Sequence, residues 1–430
     1  MKKVSQAHGP LAGELTVPGD KSIGHRAIIF GSIADGESRI YNLSGGEDNH
    51  RTVRAFKNLG VKIWRDGDAL CIGGRGWEGI RPVGSSIDCG NSGTTMRLLA
   101  GVLAGRPFAT ILDGDASLRQ RPMKRIIDPL CRMGAGVLSQ NGRGLAPLEI
   151  RGGRLRGIQY DSQVASAQVK SAVILAGLQA EGKTSVTEPQ QSRDHTEIMA
   201  RAFGADVRAE GPSVTVMGPQ KLAARDVKLV GDLSSSAFFL VAAASIPGSH
   251  LVVRGVGCNP TRSGVIDVLR QMGASVEYLR LWEEGGEPVA DLRISGQEMK
   301  GVDVSTEMVA RTIDEYPALS VAAALAEGVT TFSGVQELRF KESDRIATMT
   351  QNLRKLGVQV EESEEGMKIW GRERLHGARL KSFGDHRVAM ALAVAGLSSE
   401  GGVEIEDSAC ADPSFPEFFN LLESLCKERN

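Results

Sequence analysis

The sequence predicts a protein of the α/β or α+β class, built from six diverged copies of one repeat. Six apolar segments rich in small residues have helical character, and each is followed by a glycine and a strand-like stretch. The glycines recur 66 to 80 residues apart, a period typical of repeat architectures. The apolar segments are Ala27–Ile33, Leu98–Leu103, Ala172–Leu178, Ala237–Ala244, Ala318–Ala326 and Ala389–Leu397. The glycines, predicted as left-handed C-caps, are Gly36, Gly105, Gly182, Gly248, Gly328 and Gly401.

A second helix with a one-sided apolar stripe follows in each repeat. In the fifth repeat, Ile346, Met349 and Leu353 fall on one helical face. Five of these helices end in a shared signature of a large apolar residue, a glycine and a strand start: LGVKI, MGAGV, FGADV, MGASV and LGVQV. The first helices are apolar nearly all round and should be buried, whereas the second should lie outside. The sheets are therefore expected to cover a core of buried helices.

The chain is long enough for two domains of three repeats each. Six repeats exceed what one hydrophobic core accommodates in 430 residues. We predict an N-terminal domain over 20–231 and a C-terminal domain over 1–19 plus 232–430. The segment Gly13–Val17 has the pattern of a strand without a repeat of its own, so it is expected to close the C-terminal domain.

Net charge, cysteine spacing and the lack of long apolar runs limit the kinds of partner that the sequence predicts. Net charge is −1, so a general nucleic-acid binder, which would carry a basic excess, is not indicated. The six cysteines are widely spaced without a CxxC pair, which argues against a zinc site and fits a reducing compartment. No apolar leader and no run of 18 apolar residues is present. We therefore expect a cytoplasmic protein with no membrane or nucleic-acid partner.

Basic residues stand where helix dipoles disfavour them. Lys21, Arg26, Arg97, Lys170 and Arg387 lie near the starts of four of the six apolar helices. Residues that break a local rule are often functional. Cations and helix N-termini aimed at one point would bind an anion. The alternative is that these residues are solvated surface charges.

Six motifs at the heads of helices carry a family resemblance over the whole chain. They are Asp20–Arg26, Asn91–Arg97, Asp115–Met123, Ser166–Lys170, Lys341–Arg345 and Gly384–Arg387. Together, PGDKSIGHR, GNSGTTMR, LRQRPM, KESDRI and FGDHR resemble the signatures of the 5-enolpyruvylshikimate-3-phosphate (EPSP) synthase family, in the same order and spacing.

The resemblance implies a fold and a reaction. The fold is a two-domain inside-out α/β barrel of six βαβαββ units, three per domain, whose helix N-termini face an interdomain cleft. The reaction moves the enolpyruvyl group of phosphoenolpyruvate to the 5-hydroxyl of shikimate 3-phosphate and releases phosphate, on the shikimate pathway to aromatic amino acids. It proceeds by addition–elimination and needs no metal or organic cofactor. A monomer that is inhibited by glyphosate is also implied.

The resemblance also assigns roles to residues. Shikimate 3-phosphate is expected to contact Lys21, Ser22, Arg26, Ser166, Ala167, Gln168, Asp314 and Lys341. Phosphoenolpyruvate is expected to contact Lys21, Gly93, Arg121, Gln168, Arg345 and Arg387. Asp314 and Glu342 are expected to be the catalytic acid/base pair. Several relatives have serine where this chain has Ala167, and some have a lysine near the C-terminus that is missing from the segment Asp412–Phe415.

Other functions stay open at this point. UDP-N-acetylglucosamine enolpyruvyl transferase shares the six-unit fold and carries a reactive cysteine in the loop before its Arg-Pro. Here that loop, Asp113–Pro122, has no cysteine, and Cys131 lies beyond it. A non-catalytic anion-binding module would keep the arginines but has no need for Asp314 and Glu342. Asp314 and Glu315 could also merely complement a helix dipole.

Overall fold

The structure, a computed structural model, describes residues 1–82, 84–371 and 374–426 and divides the chain into two compact lobes. The N-terminal lobe comprises Gly19–Leu229 and Glu284–Glu287, and the C-terminal lobe comprises Met1–Pro18, Val230–Glu283 and Pro288–Asn430. The predicted domain boundaries stay a prediction, because compact packing does not show that either lobe folds independently.

The N-terminal lobe contains the first three repeats. Its helices are α1 (Lys21–Ile33), α2 (Glu47–Asn58), α3 (Gly93–Ala104), α4 (Lys124–Met133), α5 (Ala167–Gly177) and α6 (His195–Ala202). Its strands are β3 (Asp35–Tyr41), β4 (Lys62–Asp66), β5 (Ala69–Arg75), β6 (Ile87–Asp88), β7 (Ala109–Asp113), β8 (Gly136–Ser139), β9 (Leu148–Arg151), β10 (Gln159–Asp161), β11 (Gly182–Thr187), β12 (Val207–Glu210), β13 (Ser213–Gly218) and β14 (Val227–Lys228). Short 3-10 helices lie at Trp77–Gly79 and Leu118–Gln120.

The C-terminal lobe contains the other three repeats. Its helices are α7 (Leu233–Ser245), α8 (Gly264–Gln271), α9 (Val309–Thr312), α10 (Tyr316–Leu325), α11 (Arg345–Lys355), α12 (His386–Leu397) and α13 (Phe418–Leu425). Its strands are β1 (Lys2–Val4), β2 (Ala12–Thr16), β15 (His250–Gly257), β16 (Ser275–Glu284), β17 (Glu287–Ser295), β18 (Asp303–Val304), β19 (Val329–Phe332), β20 (Gln359–Ser363), β21 (Gly366–Trp370), β22 (Leu375–Lys381) and β23 (Ser399–Glu406). Short 3-10 helices lie at Thr306–Met308, Gln336–Phe340 and Ser408–Ala411.

Each repeat contributes to a small sheet, and the second, third and fifth repeats fold as complete βαβαββ units. In the second repeat the sheet order is β6-β7-β9-β8, with β6 parallel to β7 and the other pairs antiparallel. The third and fifth repeats give the same pattern, in the orders β10-β11-β13-β12 and β18-β19-β21-β20. The predicted class and the six-unit organisation are therefore confirmed.

The repeats at the ends of the lobes borrow strands from distant parts of the chain. β14 pairs in parallel with β3 and completes the first sheet, β14-β3-β5-β4. β2 pairs in parallel with β15 in the order β16-β17-β15-β2, and β1 pairs antiparallel with β23 in β1-β23-β22. The N-terminal segment thus supplies strands to two sheets of the C-terminal lobe.

The first helix of each repeat is buried on nearly every side, as predicted. All residues of α12 and all but the last of α10 are buried, and α7, α10 and α12 pack on one another. Acidic and hydroxyl side chains cap these helices: Asp20 accepts a hydrogen bond from the Ile23 amide at 2.9 Å, and Asp232 accepts one from the Ser234 amide at 2.8 Å. Each lobe is inside-out, with apolar helices in the middle and sheets covering them.

The predicted left-handed C-caps lie on the other class of helix. α1 ends at Ile33 with an extended cap residue, and Gly36 (φ 116°) lies in the following strand. Gly182, Gly248, Gly328 and Gly401 also have positive φ but follow the helix end by several residues, and Gly105 caps α3 with φ −93°. The prediction was wrong because five of these glycines lie beyond the helix end, in or just before the next strand, and Gly105, which does cap its helix, is not left-handed.

The second helices carry the left-handed glycines. Gly60 has φ 89°, its amide donates to the Lys57 carbonyl, and the Val61 amide donates to the Phe56 carbonyl, both at 3.0 Å. These two bonds define a Schellman motif, which satisfies the last carbonyls of the helix. The same pair of bonds occurs at the other signature glycines, Gly134, Gly204, Gly273 and Gly357.

Within the described part of the chain, no helix is both long and apolar enough to cross a membrane.

Candidate active site

At the start of α3, a glycine without a side chain lies beside two arginines. Gly93 is the first residue of α3, and Ser92 caps the helix by accepting a hydrogen bond from the Thr95 amide at 3.2 Å. A side-chain carbon added to Gly93 would lie 3.0 Å from Arg97 Nη1 and 3.5 Å from Arg121 Nη1. A helix N-terminus with two guanidinium groups beside it suits a carboxylate or a phosphate.

Neutral side chains hold both guanidinium groups in place. Arg97 Nη1 donates to Gln168 Oε1, and Gln168 Nε2 donates to Thr94 Oγ1 at 2.8 Å. Arg121 Nη2 donates to Asn91 Oδ1. The structure therefore brings together three residues that the resemblance assigns to substrate: Gly93, Arg121 and Gln168.

The start of α1 presents a lysine and a buried arginine. Lys21 Nζ lies 2.9 Å from Asp48 Oδ2 of α2. Arg26 donates to the carbonyl of Ser22 at 3.0 Å and to the hydroxyl of Thr196 at 2.6 Å. Burial lowers the pKa of Arg26 to about 10, so this guanidinium stays charged at neutral pH.

Asp48 is a residue that sequence reasoning missed. It stands in the first turn of α2, where an acidic side chain complements the helix dipole, so it gives no signal beyond that of a surface aspartate. In the structure it is the carboxylate partner of Lys21. It therefore bears on how strongly Lys21 can bind a substrate anion.

Four of the five cations near the helix starts are not solvated surface charges. Arg26, Arg97, Lys170 and Arg387 are all buried. Lys170 lies in an internal ion cluster, with Nζ 3.0 Å from Glu188 Oε2 and 2.8 Å from Glu197 Oε1. Lys170 therefore balances two buried carboxylates and does not present its charge to a ligand.

The same cluster fixes the segment that begins α5. Glu188 Oε1 accepts a hydrogen bond from the Ser166 amide at 2.8 Å, and Glu188 also accepts one from the Ser192 hydroxyl at 2.7 Å. Ser166 is the N-cap residue of α5, and Ala167 is its first residue. Because Glu188 is held by Lys170, a fully buried ion pair positions two residues of the predicted substrate site.

In the C-terminal lobe, Asp314 lies among three cations. Its Oδ1 is 3.5 Å from Lys341 Nζ and 3.5 Å from Arg345 Nη1, and its Oδ2 is 3.9 Å from Arg387 Nη2. Arg387 also donates to the Asp314 carbonyl at 3.0 Å. Four predicted site residues thus converge, although they come from segments far apart in the chain.

Arg345 is fixed by two further carboxylates. Its Nη2 lies 2.6 Å from Glu342 Oε2, and its Nε lies 2.9 Å from Asp385 Oδ2. Burial opposes the charge, but the carboxylates of Asp385 and Glu342 outweigh it and hold the pKa of Arg345 above its usual value. Asp385 also caps α12 by accepting a hydrogen bond from the Arg387 amide at 2.9 Å. Glu342, the second predicted catalytic residue, therefore belongs to the same group.

Glu315 belongs to a separate buried network. It accepts a hydrogen bond from the Ser234 hydroxyl, which also accepts one from Arg262 Nη2 at 2.7 Å. Arg262 Nη2 in turn lies 2.6 Å from Asp232 Oδ1. Sequence reasoning missed this network, because Arg262 lies in a loop without a recognisable motif. Glu315 is the N-cap residue of α10 but makes no side-chain capping bond there, and its carboxylate bonds to Ser234 instead.

Each lobe can be described by its own chemistry. Around Gly93 the N-terminal lobe offers hydrogen-bond donors and positive charge, which bind anions. Around Asp314 the C-terminal lobe has carboxylates beside cations, and such groups can accept or deliver a proton next to a bound anion. Among the described residues, no group of three or more histidine, cysteine and acidic side chains is arranged to hold a metal ion.

Comparisons with known proteins agree with this chemistry. The family model described as EPSP synthase (3-phosphoshikimate 1-carboxyvinyltransferase) matches residues 5–422. A 3-phosphoshikimate 1-carboxyvinyltransferase of Geobacter metallireducens is 52% identical over 415 residues, which are 96% of this chain and 97% of that protein.

Solved structures give the same result. EPSP synthase from Acinetobacter baumannii superposes with a TM-score of 0.87 at 43% identity, over 98% of this chain and 97% of that one. The enolpyruvyl transferase NikO from Streptomyces tendae matches with a TM-score of 0.79 over 98% of this chain and 96% of that one, and at 18% identity this likeness shows the fold alone. With its motifs, its six repeats and these full-length matches, the chain belongs to the EPSP synthase (3-phosphoshikimate 1-carboxyvinyltransferase) family.

Proposed function

We propose that this protein transfers the enolpyruvyl group of phosphoenolpyruvate to the 5-hydroxyl of shikimate 3-phosphate and releases inorganic phosphate. Family membership and the clustering of Asp314 and Glu342 with Lys341, Arg345 and Arg387 support the proposal. The decisive observation is that carboxylates stand beside the cations, because anion binding alone would need only the cations.

The reaction needs a proton to move twice. In the addition step the 5-oxygen bonds to C2 of phosphoenolpyruvate, the hydroxyl loses its proton, and C3 gains one and becomes a methyl group. In the elimination step the C2–O bond to phosphate breaks and the methyl group returns a proton. Asp314 and Glu342 are the groups proposed for these transfers. Lys341 and Arg345, 3.5 Å from Asp314, would hold the carboxylate in place and stabilise negative charge.

The substrate contacts are proposed residue by residue. Shikimate 3-phosphate would contact Lys21, Ser22, Arg26, Ser166, Ala167, Gln168, Asp314 and Lys341. Phosphoenolpyruvate would contact Lys21, Gly93, Arg121, Gln168, Arg345 and Arg387. Both substrates are anions that repel each other, and converging guanidinium groups and helix N-termini offset that repulsion. Ala167 can contribute only its backbone or an apolar contact.

The test is phosphate release from phosphoenolpyruvate with each of two acceptors. Release with shikimate 3-phosphate and none with UDP-N-acetylglucosamine is expected. The opposite result would assign the chain to the rival transferase reaction, and binding without release would favour an anion-binding module. Glyphosate should inhibit in competition with phosphoenolpyruvate.

A matched pair of variants tests the subsites. Arg121→Lys and Arg387→Lys keep the charge and lose the two-pronged guanidinium contact, so each should weaken phosphoenolpyruvate roughly tenfold or more. Shikimate 3-phosphate binding should change little. Equal weakening of both substrates in calorimetry would show that the subsites are assigned wrongly.

The cellular setting is proposed on the same grounds. None of the six cysteines forms a disulfide, which suits a reducing compartment, and we place the protein in the cytoplasm. We propose that it acts as a monomer on small-molecule substrates, without a metal or an organic cofactor.

A further inference from the structure

A chain of buried hydrogen bonds runs from α1 through α2 to the start of α3. His25 Nδ1 lies 2.7 Å from Thr52 Oγ1, Thr52 Oγ1 lies 2.8 Å from Thr95 Oγ1, and Thr95 Oγ1 lies 2.8 Å from Ser92 Oγ. All four residues are at most 2% exposed. His25 lies within the motif Asp20–Arg26, and the family resemblance assigns it no role.

The order of donors along this chain follows from the number of protons available. Ser92 Oγ accepts from both the amide and the hydroxyl of Thr95. The Thr95 hydroxyl has one proton, which it directs to Ser92 Oγ at 2.8 Å with the Asp48 carbonyl as a more distant acceptor at 3.5 Å. Thr52 must therefore donate to Thr95, and His25 must donate from Nδ1 to Thr52. Nε2 of His25 is then the ring nitrogen that carries no proton. It is buried without a hydrogen-bond partner among the described residues. Burial lowers the pKa of His25 to about 3, which keeps the ring neutral.

The far end of the chain is the loop that carries the anion-binding backbone. Ser92 precedes Gly93, and the neighbouring residue Asn91 accepts a hydrogen bond from Arg121. A shift of Ser92 would therefore move both the backbone at Gly93 and the partner of Arg121. Because misplaced donors lose much of their binding energy, a small shift here should weaken an anion bound at this point.

We propose that His25, Thr52 and Thr95 are positioning residues that hold the loop Asn91–Gly93 and thereby set the affinity for phosphoenolpyruvate. The inference rests on the proposed function, which assigns Gly93 and Arg121 to that substrate. None of the three residues is placed in contact with substrate. Their effect is transmitted through Ser92.

The test breaks the chain at its middle link. Thr52→Val removes the hydroxyl and keeps the shape, whereas Thr52→Ser keeps the hydroxyl. Thr184→Val is the matched control, because Thr184 is buried in the same lobe and its hydroxyl has no hydrogen-bond partner among the described residues. KM for phosphoenolpyruvate and calorimetric affinities for both substrates are measured for each variant.

Thr52→Val should raise KM for phosphoenolpyruvate roughly 5- to 20-fold, the effect of losing one or two buried hydrogen bonds. Affinity for shikimate 3-phosphate should change little, and Thr52→Ser should restore the unaltered values. Thr95→Val breaks the next link and should reproduce the pattern if Thr52→Val folds poorly. The inference is overturned if phosphoenolpyruvate affinity is unchanged, if both substrates weaken equally, or if Thr52→Ser fails to restore it.

A readout without turnover separates this inference from the proposed function. Nitrogen-15 NMR of the histidine rings should show His25 neutral with its proton on Nδ1, and a proton on Nε2 would refute this order of donors. Thr52→Val should also speed hydrogen exchange at the Thr95 amide, and unchanged exchange would count against the inference. Absence of phosphate release from the unaltered protein would instead refute the proposed function.

Discussion

At the scale of single residues, two neighbouring acids have different surroundings. Asp314 lies within 4 Å of three cations, whereas Glu315 is buried against Ser234. Asp314→Asn should lower kcat by roughly 10²–10⁴-fold, as expected for loss of a general base, with shikimate 3-phosphate still bound. Steady-state kinetics and calorimetry measure the two effects.

Glu315→Gln is the matched control for that prediction. It should keep kcat within a few-fold of the unaltered enzyme and lower the melting temperature, because it weakens a buried polar network. A nearly active Asp314→Asn enzyme would return Asp314 to a structural role and leave Glu342 as the remaining candidate.

Gly93 can be tested by adding one methyl group. In Gly93→Ala the new carbon would lie 3.0 Å from Arg97 Nη1, closer than side-chain carbons normally approach, so the guanidinium must move. Affinity for phosphoenolpyruvate should fall about tenfold through the disturbed charge-assisted contact, while shikimate 3-phosphate is little affected.

Gly153→Ala is the control for the methyl group itself, since a carbon there meets no atom within 4 Å. If Gly93→Ala and Gly153→Ala have the same substrate affinities, the anion does not bind beside Gly93.

His25 should make stability depend on pH. Its pKa is about 3 in the folded protein against an ordinary 6.5, chiefly through burial, with Asp48 raising it and Lys21 and Arg26 lowering it. Between these values the unfolded chain binds a proton that the folded protein does not. The stability contributed by neutral His25 is therefore complete above pH 6.5 and falls toward pH 3, by up to about 1.4 kcal/mol per pH unit.

The measurement is urea unfolding at several pH values from about 7.5 to about 5, a window that spans the ordinary pKa of histidine. His25→Asn removes the titrating group, so its free energy of unfolding should fall less steeply with acid than that of the unaltered protein. Equal slopes in the two proteins would contradict this interpretation of His25.

Sequence could indicate the cations of the site but not their partners. Lys21, Arg26 and Arg387 stand out because they lie near helix starts, where the dipole disfavours them. Asp48, Glu188 and Thr52, the partners of Lys21, Lys170 and His25, look like ordinary surface or helix residues, since each reaches its partner only through tertiary packing. Roles in substrate binding came from the family resemblance and not from spacing.

At the scale of elements, the glycines show where the sequence pattern was ambiguous. A glycine after an apolar segment is compatible with either a helix cap or a turn into a strand. Most of the glycines after the first helices lie at the turn into the next strand, whereas the glycines after the second helices form Schellman caps. The signature of a large apolar residue followed by Gly predicted the second helix ends correctly, because the apolar residue after the glycine continues into the core.

One pair of glycines isolates the cost of the left-handed conformation. Gly204 has φ 91° after α6, Gly153 does not have a positive φ, and an added carbon meets no atom within 4 Å at either position. Gly204→Ala should therefore lower the free energy of unfolding by about 1–2 kcal/mol through backbone strain alone. Gly153→Ala should change it little or raise it slightly.

Urea unfolding of the two variants provides the comparison. Equal stability would mean that the residue after α6 does not need the left-handed conformation in the folded protein.

At the scale of the whole molecule, the repeats were predictable and the strand exchanges were only partly so. The period of the apolar helices is sufficient on its own to identify six units, because each unit needs one buried helix. The N-terminal strand could be expected in the C-terminal lobe, where β2 pairs with β15. A short strand could be expected at the crossover Asp226–Asp232, but its pairing with β3 could not, because the two residues Val227–Lys228 carry no pattern that indicates a partner.

The central claim is that the whole chain carries out addition–elimination between two anions. The most direct measurement is turnover in deuterium oxide with phosphoenolpyruvate and shikimate 3-phosphate, followed by phosphate assay and mass spectrometry. Because C3 becomes a methyl group and then loses a proton, the methylene group of the product should contain deuterium, with one phosphate released per product formed. Release of phosphate with no deuterium in the product would contradict addition–elimination, and no release with shikimate 3-phosphate present would contradict the proposed reaction itself.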